Sequence, residues 1–128
     1  MKNNSSIGQI QDAISKEVTK YYAQILGHGP KETRVYLIED MVIVRLKGSL
    51  LPLEKKLLEG KEGNELVKNI RHSLHEILTT HLTTIIENIT KHTVISSHSD
   101  VSTKTGDIIE VFIFSNNYEV ELKAMTQR

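Results

Sequence analysis

The sequence contains no cysteine, which removes disulfides, thiolate nucleophiles and cysteine-based zinc sites from consideration. It also lacks long apolar runs: the longest are a few residues, far short of the ~20 needed to span a bilayer. The opening stretch MKNNSSIGQIQDAISKE has no apolar segment of signal-peptide length. A soluble, cytoplasmic protein is therefore expected, without direct membrane insertion. Any place at the inner face of a membrane would be peripheral and held through partners. An excess of one charge is missing as well, since 16 basic residues balance 16 acidic ones and aromatics make up only 5%. A nucleic-acid binder shows a basic excess, or a basic stripe interleaved with aromatics. Nucleic acid is accordingly not an expected partner.

What is present is aliphatic and periodic. With 128 residues, of which 38% are hydrophobic, a single domain with its own core is expected. That core should span about residues 6–117, with residues 118–128 as a tail. Ser6-x-x-Gln9 reads as a capping box, and Ile7, Ile10, Ile14, Val18, Tyr21 and Ile25 recur behind it at helical spacing. They predict an amphipathic helix over 6–26, ended by Gly27-His28-Gly29-Pro30.

Two β-rich runs follow, TRVYLIED and MVIVRLKG. A turn at Glu39-Asp40 puts Thr33, Val35, Leu37, Val42, Val44 and Leu46 on one aliphatic face, the expected core face. Arg34, Tyr36, Ile38, Met41, Ile43 and Arg45 share the other, with the two arginines nearly opposite one another. Pro52 suits a first helical position, so a short helix is expected over 51–59. Asn64 would then cap a long helix over 64–91, striped by Leu66, Val67, Ile70, Leu74, Ile77, Leu78, Leu82, Ile85, Ile86 and Ile89. Such a helix runs ~40 Å, more than the width of four strands at roughly 4.8 Å each, so part of it should overhang the sheet or meet a partner chain.

Residues 93–115, TVISSHSDVSTKTGDIIEVFIFS, read as a second hairpin. A three-residue loop with left-handed Gly106 would set His98 opposite Glu110, Asp100 opposite Ile108 and Ser96 opposite Phe112, with Ile109, Val111 and Ile113 facing the core. An even-numbered loop would shift the register by one and separate His98 from Glu110. The tail is expected as a short edge strand or as disorder. The order α-β-β-α-α-β-β predicts an α+β two-layer sandwich, an antiparallel four-stranded sheet with helices on one face.

The candidate site residues lie on the non-core face of this sheet: Arg34, Arg45, His98, Asp100 and Glu110. One reading is an oligomer interface with an ionic centre. The other is a shallow ligand site in which an arginine holds an anion and His98 handles protons. The interface reading ranks first, because mixed outer-face polarity is ordinary. A weaker candidate is the loop Ser102, Thr103, Lys104, Thr105 and Gly106, whose hydroxyls, lysine and glycine resemble a phosphate cradle. It has one glycine and sits between two strands, whereas the Walker pattern needs two glycines between a strand and a helix; turn chemistry is the preferred account. Among the six histidines, His72 and Glu76 stand at i,i+4, a spacing more often found in a solvated pair than in a metal site, and His81 reads as a packed histidine. R-H-S-L-H-E lacks the H-E-x-x-H order of zinc proteases, and no nucleophile elbow is present. No catalytic residue, metal or cofactor is expected.

Three stretches together, Gly27-His28-Gly29-Pro30, DMVIVRLKGSLLPLEKKL at 40–57 and HSDVSTKTGDIIEVFIF at 98–114, resemble the MpsC-like family of small bacterial proteins. The resemblance covers about residues 6–117. It implies a place in a sodium-translocating, membrane-potential-generating system. The other components of that system resemble a membrane subunit of the proton-pumping NADH dehydrogenase and a large soluble subunit linked to inorganic-carbon uptake. It implies no catalytic residues. His28 stands where the family usually has arginine, which weakens an anion site built on that loop. The expectation is a cytoplasmic accessory or regulatory subunit, homodimeric, acting by protein–protein contact with membrane-complex subunits. The rival expectation is a small enzyme or ligand sensor for an anionic molecule.

Overall fold

The computed structural model describes residues 6–126. Ser6 starts the first helix, α1 (Ile7–Leu26), as a true capping box: Gln9 N–H donates to Ser6 Oγ at 3.2 Å and Ser6 N–H to Gln9 Oε1 at 2.9 Å. Gly27 ends it at φ 68°, a left-handed cap that glycine adopts without steric cost. The buried face is Ile10, Ile14, Val18 and Tyr22. The expected stripe ran through Tyr21 and Ile25 instead. A stripe continued at steps of four selects Tyr22, and Ile25 is left exposed.

Strands β1 (Glu32–Ile38) and β2 (Met41–Lys47) pair in the expected register, with Arg34 opposite Arg45 and Val35 opposite Val44. Their aliphatic face is buried and Tyr36 and Ile38 on the other are exposed, as alternation requires. Helix α2 (Pro52–Leu57) has proline in its first turn. Helix α3 (Gly63–Thr90) is the long one. Its N-cap is Glu62, without a side-chain bond, rather than Asn64; Asn64 Oδ1 instead accepts a hydrogen bond from the Thr103 hydroxyl of the second hairpin's loop. Gly63 opens α3 for a packing reason: a Cβ there would lie 1.7 Å from the Leu57 carbonyl oxygen.

Strands β3 (Val94–Val101) and β4 (Ile108–Phe114) complete an antiparallel sheet of order β1-β2-β4-β3. The fold is the expected α+β arrangement, a four-stranded antiparallel sheet with helices on one face. The register of the second hairpin is corrected. Residues 102–107, an even number, separate the strands. Ser99 therefore faces Glu110, His98 faces Val111 and Asp100 faces Ile109.

The faces of β4 are inverted with it. Ile108, Glu110, Phe112 and Phe114 are buried beneath the helices, and Ile109, Val111 and Ile113 turn outward. Both faces of β4 are apolar, so hydrophobic alternation cannot choose between them. The inverted face buries two phenylalanines, which carry more apolar area than valine and isoleucine, and it matches Val42 to Phe112 and Val44 to Glu110 on β2.

The tail is neither strand nor disorder over its described part. It forms helix α4 (Tyr118–Thr126), whose Tyr118 and Leu122 join the core; residues 127–128 lie outside the described residues. Helix α4 docks at the β1–β2 turn, where Glu119 N–H donates to the Glu39 carbonyl at 3.0 Å and Glu39 N–H to Glu119 Oε1 at 2.9 Å. His92 seals its other side. The ring lies 4.1 Å from that of Tyr118, and its Nε2 is 2.7 Å from Glu121 Oε2.

Candidate functional site

The register shift divides the predicted site residues between two faces. Arg34, Arg45, His98 and Asp100 lie on the outer face, and Glu110 lies inside. The two arginines do not repel each other uncompensated, because each holds its own acid. Arg34 Nε donates to Glu32 Oε2 at 2.7 Å, and Arg45 Nη2 and Nε donate to Asp107 Oδ2 at 2.9 and 3.2 Å. The Arg34 bond holds the Glu32 carboxyl below the ordinary carboxylate range. Between these rims run Tyr36, Ile38, Met41, Ile43, Ile109, Val111 and Ile113, an apolar floor; Ile109 is 38% exposed. The weaker candidate loop, with Thr103, Lys104, Thr105 and Gly106, borders a groove that Lys31 and Lys55 also line. Ser102 belongs to the loop's own hydrogen bonding, its carbonyl accepting from Gly106 N–H at 2.8 Å.

On the inner face Glu110 is 1% exposed. It stands there because Val44 and Ser99, its partners on either side, both face the helices. Tyr22 of α1 donates its hydroxyl hydrogen bond to Glu110 Oε2. His75 of α3 brings Nδ1 to 3.3 Å from Oε1, ion-pair distance without hydrogen-bond geometry. Burial first, then the Glu110 charge and the hydrogen bond to it, raise the Tyr22 phenol far above the ordinary tyrosine range. Tyr22 thus stays a neutral donor.

One turn along α3, Arg71 forms a second buried polar cluster. Its Nε and Nη2 each reach one oxygen of Glu54 at 2.6 Å, and Nη2 also donates to the Ser49 carbonyl at 2.8 Å. Arg71 is 6% and Glu54 2% exposed. The second Glu54 oxygen serves α2 as well, accepting from Leu51 N–H at 2.8 Å. Arg71 Nη1 is buried with no hydrogen-bond partner.

These two clusters border one cavity of about 50 Å³, lined among others by Tyr22, Lys68, Arg71, His72, His75 and Ser99. Sequence reasoning passed over Tyr22, Glu54, Arg71 and the inward role of His75. A signal was present in the spacing. Lys68, Arg71, His72 and His75 fall on one helical face at steps of three and four, and Arg71 and His75 are polar residues within or beside the apolar stripe of α3. His72 pairs with Glu76 at 3.1 Å on the surface, as expected, and His81 stacks on Tyr21 at 4.2 Å. Among the described residues, no three histidine or carboxylate side chains gather into a metal site.

Comparison with known proteins decides the family. The family model described as "Na+-translocating membrane potential-generating system (MpsC)" matches residues 6–116. The chain belongs to the MpsC family. It is also 37% identical over 118 residues to "Uncharacterized protein YbcI" of Bacillus subtilis (strain 168), covering 92% of this chain and 95% of that relative. No solved structure gives a significant match. The matched segment ends just before α4, so both polar clusters and the whole sheet belong to the part shared with the MpsC family. Among the described residues, no helix is long and apolar enough to cross a membrane.

Proposed function

We propose that the chain is a cytoplasmic accessory or regulatory subunit of the membrane system for which the MpsC family is named, acting by protein–protein contact. The observation that carries this reading is the outer sheet face. Seven apolar side chains, from Tyr36 and Ile38 on β1 to Ile109, Val111 and Ile113 on β4, form a continuous floor outside the packed core. A contiguous apolar patch with a charged rim is the usual form of an interaction surface.

A second copy of the chain is its first occupant. A two-fold axis parallel to the strands would lay the β1 edge of one protomer over the β3 edge of the other. Arg34, on β1, would then meet the partner's Asp100, on β3, while the apolar floors close on each other. The ligand-sensor alternative has less support, since it required His98 and Glu110 together on this face and Glu110 is inside.

The test is co-purification from native membranes after mild cross-linking, with Ile43→Lys and Val111→Lys in parallel. A membrane partner and a cross-linked dimer are expected for the unmodified chain, both lost in the variants. Recovery of only soluble monomer from the unmodified chain would end this reading.

A further inference from the structure

We propose that the cavity between α1, α3 and β3 is a binding site for a small monovalent oxyanion. The first ground is a donor without an acceptor. Arg71, which lines the cavity, is held by Glu54 and Ser49 through Nε and Nη2, and its Nη1 is buried with no hydrogen-bond partner. An unsatisfied N–H of a charged group inside a fold is costly, and Arg71 is too firmly anchored to turn it elsewhere.

The second ground is the company Arg71 keeps. Lys68, His72 and His75 lie on the same face of α3 and line the same space, together with the Ser99 hydroxyl. His75 Nδ1 is likewise buried without a hydrogen-bond partner, 3.3 Å from the equally unpartnered Glu110 Oε1. Donors converge here from one rigid helix, an arrangement that needs no reorganisation to receive an acceptor.

Charge and volume narrow the ligand. Arg71 is balanced by Glu54, and His72 and His75 stand within ion-pair distance of Glu76 and Glu110. Lys68 and Asp100 stand on the wall as one charge of each sign, so the cavity carries no positive excess that would hold a polyanion. About 50 Å³ is room for roughly three or four water-sized centres, which admits formate, nitrate or acetate and excludes nucleotide-sized ligands. So few atoms limit affinity to about millimolar.

The test uses sodium formate and sodium nitrate as probes at constant ionic strength, with sodium sulfate as the doubly charged control. Binding is read by the His75 ring resonances and by thermal midpoint. Replacing Arg71 would strand Glu54 and weaken the fold, so the variants are Ser99→Val, which fills the cavity, and Lys68→Ala, which removes an exposed cation. A saturable His75 shift with formate or nitrate, absent with sulfate, is expected, weakened about tenfold or more in both variants. No saturable shift with either probe, an equal response in Ser99→Val, or a cavity that holds water alone would overturn the proposal.

Discussion

Arg71 and Glu54 form a two-pronged ion pair in which each bond is 2.6 Å and both side chains are buried. The pair ties α3 to α2 and, through Ser49, to the segment that follows β2. Glu54→Gln keeps the shape and removes the charge. It should cost about 3–5 kcal/mol, because the arginine is then buried uncompensated. Replacing both residues, Arg71→Met with Glu54→Leu, should recover most of that loss. Urea denaturation of Glu54→Gln, of Arg71→Met and Glu54→Leu singly, and of the double variant checks it, and additive losses would contradict the coupling.

Tyr22 couples stability to alkaline pH. Its phenol is raised in the folded state by burial and by Glu110, so the stability it contributes is complete below the unfolded tyrosine value of about 10. As pH rises past that value the unfolded chain ionises and the folded chain does not, and stability falls. Tyr22→Phe should cost about 1–3 kcal/mol at neutral pH by leaving Glu110 short of a donor, and should flatten the decline above pH 10. Parallel slopes in the two proteins would count against this account.

Helix α4 should loosen in acid. Glu119 is held below the ordinary carboxylate range first by the Glu39 backbone N–H and then by Lys123. A depressed carboxyl stabilises above its unfolded value and loses that contribution as pH falls through the folded one. The protection factor of the Glu39 amide, its exchange relative to the intrinsic rate at each pH, should therefore fall on acidification in the unmodified chain. In Glu119→Gln it should be low at all pH values. Unchanged protection in the variant would show that Tyr118 and Leu122 alone hold the helix.

Gly63→Ala tests close packing rather than conformational freedom. The new methyl would meet backbone, the Leu57 carbonyl, which cannot rotate aside, so the loss should reach about 3 kcal/mol, the upper end of overpacking effects. Gly60→Ala, where the nearest contact is an ordinary 3.5 Å, is the control and should change the thermal midpoint little.

The first hairpin was legible because its two faces differ: valines and leucines against arginines and a tyrosine leave one way to bury it. The second hairpin was not. Its last strand is apolar on both faces, and Glu110 looked like the marker of an exposed side. The carboxylate is instead satisfied inside by Tyr22, 88 positions away, and spacing along the chain carries no trace of that partnership. The tail misled for a related reason. Val120 and Leu122 alternate as a strand would, yet Tyr118 meets His92 and Phe114 and Leu122, at i,i+4 from it, is buried in the core, and tertiary packing overrides so short a pattern.

By itself, then, the sequence determined the element order, the pairing of β1 with β2 and the long α3, since these follow from local periodicity and turn chemistry. Only the tertiary structure decided which face of β4 is core, and with it the separation of Glu110 from His98 and the cavity beside Arg71. The reason is that a strand with two apolar faces takes its orientation from the helices that cover it and from the distant residues that satisfy its one charge.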